Sequence, residues 1–111
     1  MLNNTLVTLL QDKKANEIVS LDLRQIPEAI ADFYIICHGT STTQTRAMID
    51  YVEQEMKTQY QTNALHTEGK QNGEWCLIDF GEVIIHVFIE EKRELYQLED
   101  LWQDAERIDY N

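Results

Sequence analysis

The sequence predicts one domain of the α/β class (α+β type), spanning residues 1–111, with a mixed β-sheet of about five strands flanked by helices. The chain has 111 residues, 43% of them apolar, which is enough to bury one core. Segments with helical and strand-like periodicity follow one another without a linker or an internal repeat. Two apolar runs separated only by Gly81-Glu82 predict a β-hairpin, the clearest local signal in the chain.

The first half of the chain predicts one short helix and two strands. Leu2, Leu6 and Leu9 recur at helical spacing, and Asn16 is suited to end the helix. Residues 18–23 form a short β-branched and apolar run, which predicts the first strand. Residues 32–38 are apolar almost throughout, which is typical of a central strand covered on both faces.

A long helix is predicted over residues 42–60. Ser41 lies three residues before Gln44, which is the spacing of a capping box at a helix start. An apolar stripe then follows the segment: Ala47, Met48, Val52 and Met56. Residues 64–68 are predicted to form another strand after this helix.

The hairpin has a predicted register and two unlike faces. A two-residue loop beginning with Gly81 suits a primed turn, so Trp75 is predicted opposite Phe88 and Leu77 opposite His86. One face is wholly apolar and is predicted to pack against helices: Cys76, Ile78, Phe80, Val83, Ile85 and Val87. The other face, called the mixed face below, carries Trp75, Leu77, Asp79, Ile84, His86 and Phe88. A face that combines large apolar groups with an acid and an imidazole is either half solvated or a site for a partner.

The segment after Glu90 is predicted to be a charged amphipathic helix. Its apolar side consists of Leu98, Leu101, Trp102 and Ala105, and acidic residues lie outside.

The charge of the chain limits its partners. Nine basic and twenty acidic residues give a net charge of −11. A phosphate backbone or an anionic membrane surface would repel such a chain, so we expect neither direct nucleic-acid binding nor membrane binding. A basic protein is the complementary partner, although acidity that serves only solubility is an equally good interpretation of charge alone. Two cysteines within apolar strands, no secretory signal and no membrane-length apolar run predict a cytoplasmic protein.

Catalytic and metal-binding patterns are weak. A strand that runs into Gly39-Thr40-Ser41 and a helix could cradle phosphates, but nucleotidyl transfer also needs paired carboxylates, and Asp79 stands alone. The turn is therefore interpreted as a capped strand-to-helix connection. The three histidines and two cysteines show no paired ligand spacing, so no metal or cofactor is expected.

His86 suggests no nucleophilic mechanism either. Cys76 lies on the opposite face of the hairpin, so the two side chains cannot meet. Asp79 lies diagonal to His86, within reach of a hydrogen bond. The pair could serve acid–base chemistry, but two polar groups that satisfy each other at the sheet surface are the preferred interpretation. Beside them, Trp75, Leu77 and Phe88 form a cluster that is either core or an exposed interface hot spot; composition favours core.

Three ordered motifs carry a resemblance to a known family. Residues 31–41, ADFYIICHGTS, resemble the first signature of the ribosomal silencing factor family (RsfS, also called Iojap-like), with Gln44 and Ala47 following. Residues 73–83, GEWCLIDFGEV, are similar to its central motif, although Cys76 stands where the family often has valine. The closing motif is matched by Arg93, Tyr96, Leu98, Glu99, Leu101, Trp102 and Ala105.

This resemblance implies a translational repressor without catalysis, on a nucleotidyltransferase-like topology that lacks catalytic residues. Such factors bind the large ribosomal subunit through a basic ribosomal protein at the intersubunit face, the one numbered fourteen. Their bulk then blocks joining of the small subunit when nutrients are scarce. Organellar relatives act in large-subunit assembly, which is the alternative function. A working nucleotidyltransferase-like enzyme that uses Gly39, Ser41 and Asp79 is a further alternative.

The resemblance also implies which residues contact the partner. The family's partner-contacting Trp and Leu fall on Trp75 and Leu77, which reverses the preference for core at these positions. Tyr96, Leu98 and Trp102 either extend the surface or pack beneath it. Family members often self-associate, so a homodimer is expected as well. The predicted partner-binding residues are Trp75, Leu77, Asp79, His86, Phe88, Tyr96 and Leu98.

Overall fold

A computed structural model describes residues 2–110 of the chain. Its elements, in chain order, are α1 (Leu2–Asp12), β1 (Asn16–Asp22), β2 (Phe33–Gly39), α2 (Thr42–Tyr60), β3 (His66–Glu68), β4 (Trp75–Asp79), β5 (Val83–Ile89), α3 (Glu90–Tyr96), a 3₁₀ helix (Leu98–Trp102) and β6 (Glu106–Asp109). The predicted α+β class is therefore confirmed.

The strands form one mixed sheet in the order β3-β4-β5-β2-β1-β6. β2 and β5 pair in parallel at its centre, and the other neighbouring strands pair antiparallel. The sheet has six strands rather than the predicted five or so, because the segment that contains β6 has a helical pattern in the sequence. Both ends of the sheet are short edge strands.

Helices α1 and α2 cover one face of the sheet. Their buried leucines, methionines and valine pack against the apolar face of the hairpin, as predicted: Leu6, Leu10, Met48, Val52 and Met56 against Cys76, Ile78, Ile85 and Val87. Central strand β2 is covered on both faces, since Ile35 joins this core and Ile36 joins the second one. Burial of this much aliphatic surface is the main term that stabilises the fold.

The opposite face has a different cover. No long helix packs there among the described residues. Instead, the connection between β1 and β2 contributes Ile26 and Ala29, and the C-terminal segment contributes Leu98 and Trp102. This cover lies over the middle of the sheet and leaves part of β4 open.

Two local predictions are confirmed in detail. Ser41 caps α2, and its hydroxyl accepts a hydrogen bond from the Gln44 N–H at 3.1 Å. In the hairpin, Trp75 pairs with Phe88 and Leu77 with His86, the register set by the two-residue loop. Gly81 has φ +91°, a conformation that favours glycine.

The prediction of one C-terminal helix is wrong. α3 ends at Tyr96, Gln97 takes a left-handed conformation with φ +46°, and the chain continues as a 3₁₀ helix and then as β6. Pairing with the free edge of β1 outweighs helical propensity here, and the Tyr110 N–H donates to the Ile18 carbonyl at 2.7 Å. Leu101, predicted to face the core, is 72% exposed as a result.

Candidate protein-docking surface

The mixed face of the hairpin is buried at β5 and open at β4. Ile84, His86 and Phe88 are buried on β5, which lies nearer the centre of the sheet. On β4, Leu77 and Asp79 are partly exposed and Trp75 is 36% exposed. The exposed residues of β4 therefore form a shallow surface with Trp75 at one end, called the β4 surface below.

Aromatic side chains hold Trp75 in place. Its ring stacks on Phe88 with a centroid separation of 4.9 Å and an interplanar angle of 29°. Tyr96, carried by α3, lies against the same indole at 4.9 Å and is itself 48% exposed. Stacked and tilted aromatic pairs of this kind contribute about 0.5–1.5 kcal/mol beyond the area they bury. Trp75 and Tyr96 thus form a supported aromatic ridge that solvent still reaches.

The predicted hydrogen bond between His86 and Asp79 is not formed, so that prediction is wrong. His86 Nδ1 instead accepts a hydrogen bond from the Trp75 indole N–H at 3.1 Å. The Asp79 carboxylate accepts from the Gly81 N–H at 2.7 Å and so closes the hairpin turn. A carboxylate held by the turn amide beside it is no longer directed at the next strand.

Burial keeps the His86 imidazole neutral. Desolvation lowers the pKa of His86 from 6.5 to about 4. Since Nδ1 accepts from Trp75, the neutral ring carries its proton on Nε2. That Nε2 has no hydrogen-bond partner among the described residues.

The residues of the closing motif lie partly at the surface and partly in the core. Tyr96 extends the exposed ridge, whereas Leu98 is buried in the second core and Trp102 is half buried, edge-on to Tyr34 at 5.7 Å. Among the predicted partner-binding residues, Trp75, Leu77, Asp79 and Tyr96 reach the surface, and His86, Phe88 and Leu98 lie beneath it.

Three residues near this surface were not predicted to take part in it. Arg93 is buried, and its guanidinium donates to Glu99 Oε2 at 2.8 and 3.0 Å and to the Asn16 carbonyl at 3.3 Å. It thereby fastens α3 and the 3₁₀ helix to the sheet. On the other side, His66 and Glu68 of β3 pair with Asp79 and Leu77 and add a polar rim. The closing motif contained Arg93, but periodicity gives no signal for a buried ion pair.

The turn proposed for phosphate binding is occupied by its own side chains. The Gln44 side-chain oxygen accepts from the Thr40 N–H at 2.6 Å, and a Cβ on Gly39 would approach that oxygen to 3.0 Å. Within residues 2–110, no group of three or more His, Cys, Asp or Glu side chains is arranged to hold a metal ion. Both cysteines are buried free thiols, and burial raises the pKa of Cys37 to about 12.

No helix in the described part of the chain is long and apolar enough to cross a membrane.

Comparison with known proteins identifies the family. Residues 2–111 match the family described as "Ribosomal silencing factor during starvation". The protein named ribosomal silencing factor RsfS from Halalkalibacterium halodurans is 39% identical over 106 residues, covering 93% of this chain and 86% of its own. Mouse "Mitochondrial assembly of ribosomal large subunit protein 1" is 35% identical over 101 residues, 87% of this chain and 43% of its own.

A solved structure supports the same grouping. The crystal structure of a protein from Chromobacterium violaceum superposes with a TM-score of 0.85 at 29% identity, over 91% of this chain and 82% of that one. The chain belongs to the ribosomal silencing factor family. The names of these relatives describe regulators and assembly proteins of the ribosome rather than enzymes.

Proposed function

We propose that this protein binds the large ribosomal subunit through a basic ribosomal protein at the intersubunit face, the one numbered fourteen, and blocks joining of the small subunit by its bulk. We propose that this block represses translation under nutrient limitation, as the description of the family suggests. The observation that carries the proposal is the exposed and supported Trp75 at the end of the β4 surface. Tryptophan anchors in such positions are enriched among interface hot spots.

Charge supports a basic partner. The net charge of −11 is unevenly spread, because residues 90–110 hold eight acidic and three basic side chains. This segment carries Tyr96, so the acidic part of the molecule adjoins the aromatic ridge. Complementary charges of this kind speed encounter and orient docking, whereas the buried aromatic contact slows dissociation.

Two buried free thiols suit the reducing cytoplasm in which the proposed factor would act.

Co-sedimentation with purified large subunits, followed by addition of small subunits, tests the proposal. The wild-type protein should sediment with large subunits and reduce the yield of joined ribosomes. Trp75→Ala should weaken binding by about 2 kcal/mol or more, roughly 30-fold, and relieve the block while the protein stays folded. Tyr60→Ala is the matched control, since Tyr60 is an exposed aromatic residue at the end of α2, which packs on the other face of the sheet.

Two results would contradict the proposal. One is wild-type protein that fails to sediment with large subunits at low salt. The other is a Trp75→Ala variant that unfolds, because Trp75 would then be a core residue.

The name of the mouse relative favours one alternative, a large-subunit assembly factor. Gradient fractionation of a cell lysate distinguishes the two functions. A silencing factor should sediment with mature large subunits, whereas an assembly factor should sediment with precursor particles. For the enzyme alternative, several nucleotides with magnesium should leave the melting temperature unchanged; a clear increase would favour it.

We also propose that a second copy of the chain pairs along β6. The Tyr110 N–H points toward β1, so by strand alternation the backbone groups of Arg107 and Asp109 point outward from the edge. A two-fold axis at Ile108 would set Arg107 opposite Asp109 of the second copy, twice. Registers centred on Arg107 or Asp109 would bring like charges together. Of these three registers, only the one centred on Ile108 pairs opposite charges. In that register Ile108, which is 54% exposed, would contact Ile108 of the second copy at the two-fold axis.

A further inference from the structure

We propose that His86 is a positioning residue that fixes the Trp75 indole in its docking orientation. The inference rests on the proposed function, in which Trp75 is the anchor. It assigns His86 an indirect role, because only 5% of its surface is exposed and a docked partner would not reach it.

Geometry supports this role. Phe88 and Tyr96 contact the indole through ring faces and edges, which resist displacement but permit rotation in the plane of contact. The indole N–H, by contrast, donates a hydrogen bond to His86 Nδ1 at 3.1 Å. A hydrogen bond is directional, so it fixes the ring angle that stacking leaves free.

Burial holds His86 itself in place, since only 5% of its surface is exposed. Its ring lies edge-on to Tyr34 with a centroid separation of 4.7 Å and near-parallel to Phe88 at 6.5 Å. A fixed acceptor gives the exposed indole a defined orientation before docking. Such preorganisation lowers the entropy lost when an anchor side chain is immobilised at an interface.

An imidazole at this position is costly for stability. Because Nδ1 accepts from Trp75, the N–H lies on Nε2, which is buried without a partner among the described residues. A buried donor without an acceptor destabilises a fold, and a phenyl ring in the same place would avoid that cost. A residue that packs less favourably than its apolar substitute and yet orients the anchor fits a role in docking rather than in stability.

Two variants separate orientation from stability. His86→Phe keeps an aromatic ring and removes the acceptor, whereas His86→Asn keeps an acceptor close to the Nδ1 position and removes most of the ring. At pH 7, His86→Phe should melt at an equal or higher temperature than wild type and bind purified large subunits about 5-fold more weakly. His86→Asn should melt at a lower temperature and keep most of the affinity. A purely structural role would make affinity follow stability instead.

The NMR signal of the Trp75 indole N–H reports the hydrogen bond to His86 in the protein alone, without ribosomal subunits. In protein with ¹⁵N-labelled tryptophan, Trp102→Phe assigns the two indole signals. The Trp75 signal should be shifted downfield and protected from exchange in wild type and His86→Asn, and should lose both properties in His86→Phe.

Trp75→Phe completes a double-mutant cycle, because its ring has no N–H. In that background His86→Phe should leave the affinity for large subunits unchanged. A 5-fold effect there, or wild-type affinity of the single variant His86→Phe, would overturn the positioning role while the proposed function stands. Wild-type protein that does not sediment with large subunits would overturn the proposed function first.

Discussion

At the scale of residues, His86 makes the stability of the protein depend on pH. Its pKa is 6.5 in the unfolded chain and about 4 in the folded protein, so the unfolded state binds the proton more readily between these values. Above pH 6.5 the imidazole is neutral in both states and costs nothing in proton binding, whereas below pH 6.5 protonation favours the unfolded chain, and the resulting loss of stability is complete near pH 4. The full loss amounts to about 3 kcal/mol.

Urea unfolding at pH 7, 6 and 5 measures this loss. We expect the free energy of unfolding to fall more steeply with acidity for wild type than for His86→Phe. Burial also lowers the pKa of His38, with Arg93 adding to the effect, and this contribution remains in both proteins. Parallel curves for the two proteins would show that His86 titrates normally.

The environment of His86 also shows why side-chain partners are hard to derive from register. The register correctly placed His86 opposite Leu77 and diagonal to Asp79. Two polar groups were then within reach, and the choice between them depended on the Gly81 amide, which occupies Asp79, and on the direction of the Trp75 indole. The turn geometry and the side-chain rotamer decide these two contacts, and neither can be predicted from the alternation of side chains along a strand.

At the scale of elements, a substitution at the C-terminus of α2 should increase the stability of the fold. Gln61 ends the helix in a left-handed conformation with φ +51°, which glycine adopts without strain. Gln61→Gly should raise the free energy of unfolding by about 0.5–1 kcal/mol. Gln59→Gly, two residues earlier and inside the helix, should lower it by about 1 kcal/mol.

Chemical denaturation of both glycine variants provides the measurement. Equal destabilisation by both substitutions would mean that the end of α2 is not left-handed in solution.

Elements were predictable where local chemistry decides them. The Gly81-Glu82 loop fixes the hairpin, and Ser41 fixes the start of α2, so both predictions are confirmed. The segment from Arg93 onward depends on distant partners, namely Asn16 for Arg93 and the edge of β1 for β6. Its amphipathic pattern therefore predicted a helix that tertiary contacts prevent. Exposure of the β4 surface was likewise suggested by the family resemblance and not by composition.

At the scale of the whole molecule, the net charge of −11 should give the two proposed associations opposite salt dependence. Binding to a basic partner weakens as salt screens the attraction. Pairing of two chains that each carry a net charge of −11 strengthens as salt screens their repulsion, which outweighs the weakening of the two exposed Arg107–Asp109 pairs. Co-sedimentation and analytical ultracentrifugation at low and high salt should therefore show opposite trends, and parallel trends would contradict one of the two proposals.

Charge reversal tests the β6 register. Arg107→Asp and Asp109→Arg should each give a monomer, because like charges then face each other twice. The double variant restores complementary pairs and should dimerise again. Wild-type protein that stays monomeric at high concentration and high salt, or single variants that still dimerise, would contradict the β6 pairing.

Pairing between distant parts of the chain also determines when the proposed docking surface can form. Phe33 pairs with Val83 and Val19 pairs with Asp109, so both contacts close long stretches of chain. Folds dominated by such distant pairings fold slowly, in milliseconds to seconds rather than microseconds. During synthesis, β4 and β5 leave the exit tunnel long after β2, and β6 later still. A nascent chain thus carries no assembled Trp75–Tyr96 ridge until residues past 96 have emerged, so the proposed docking surface is not available while that part of the chain is still being synthesised.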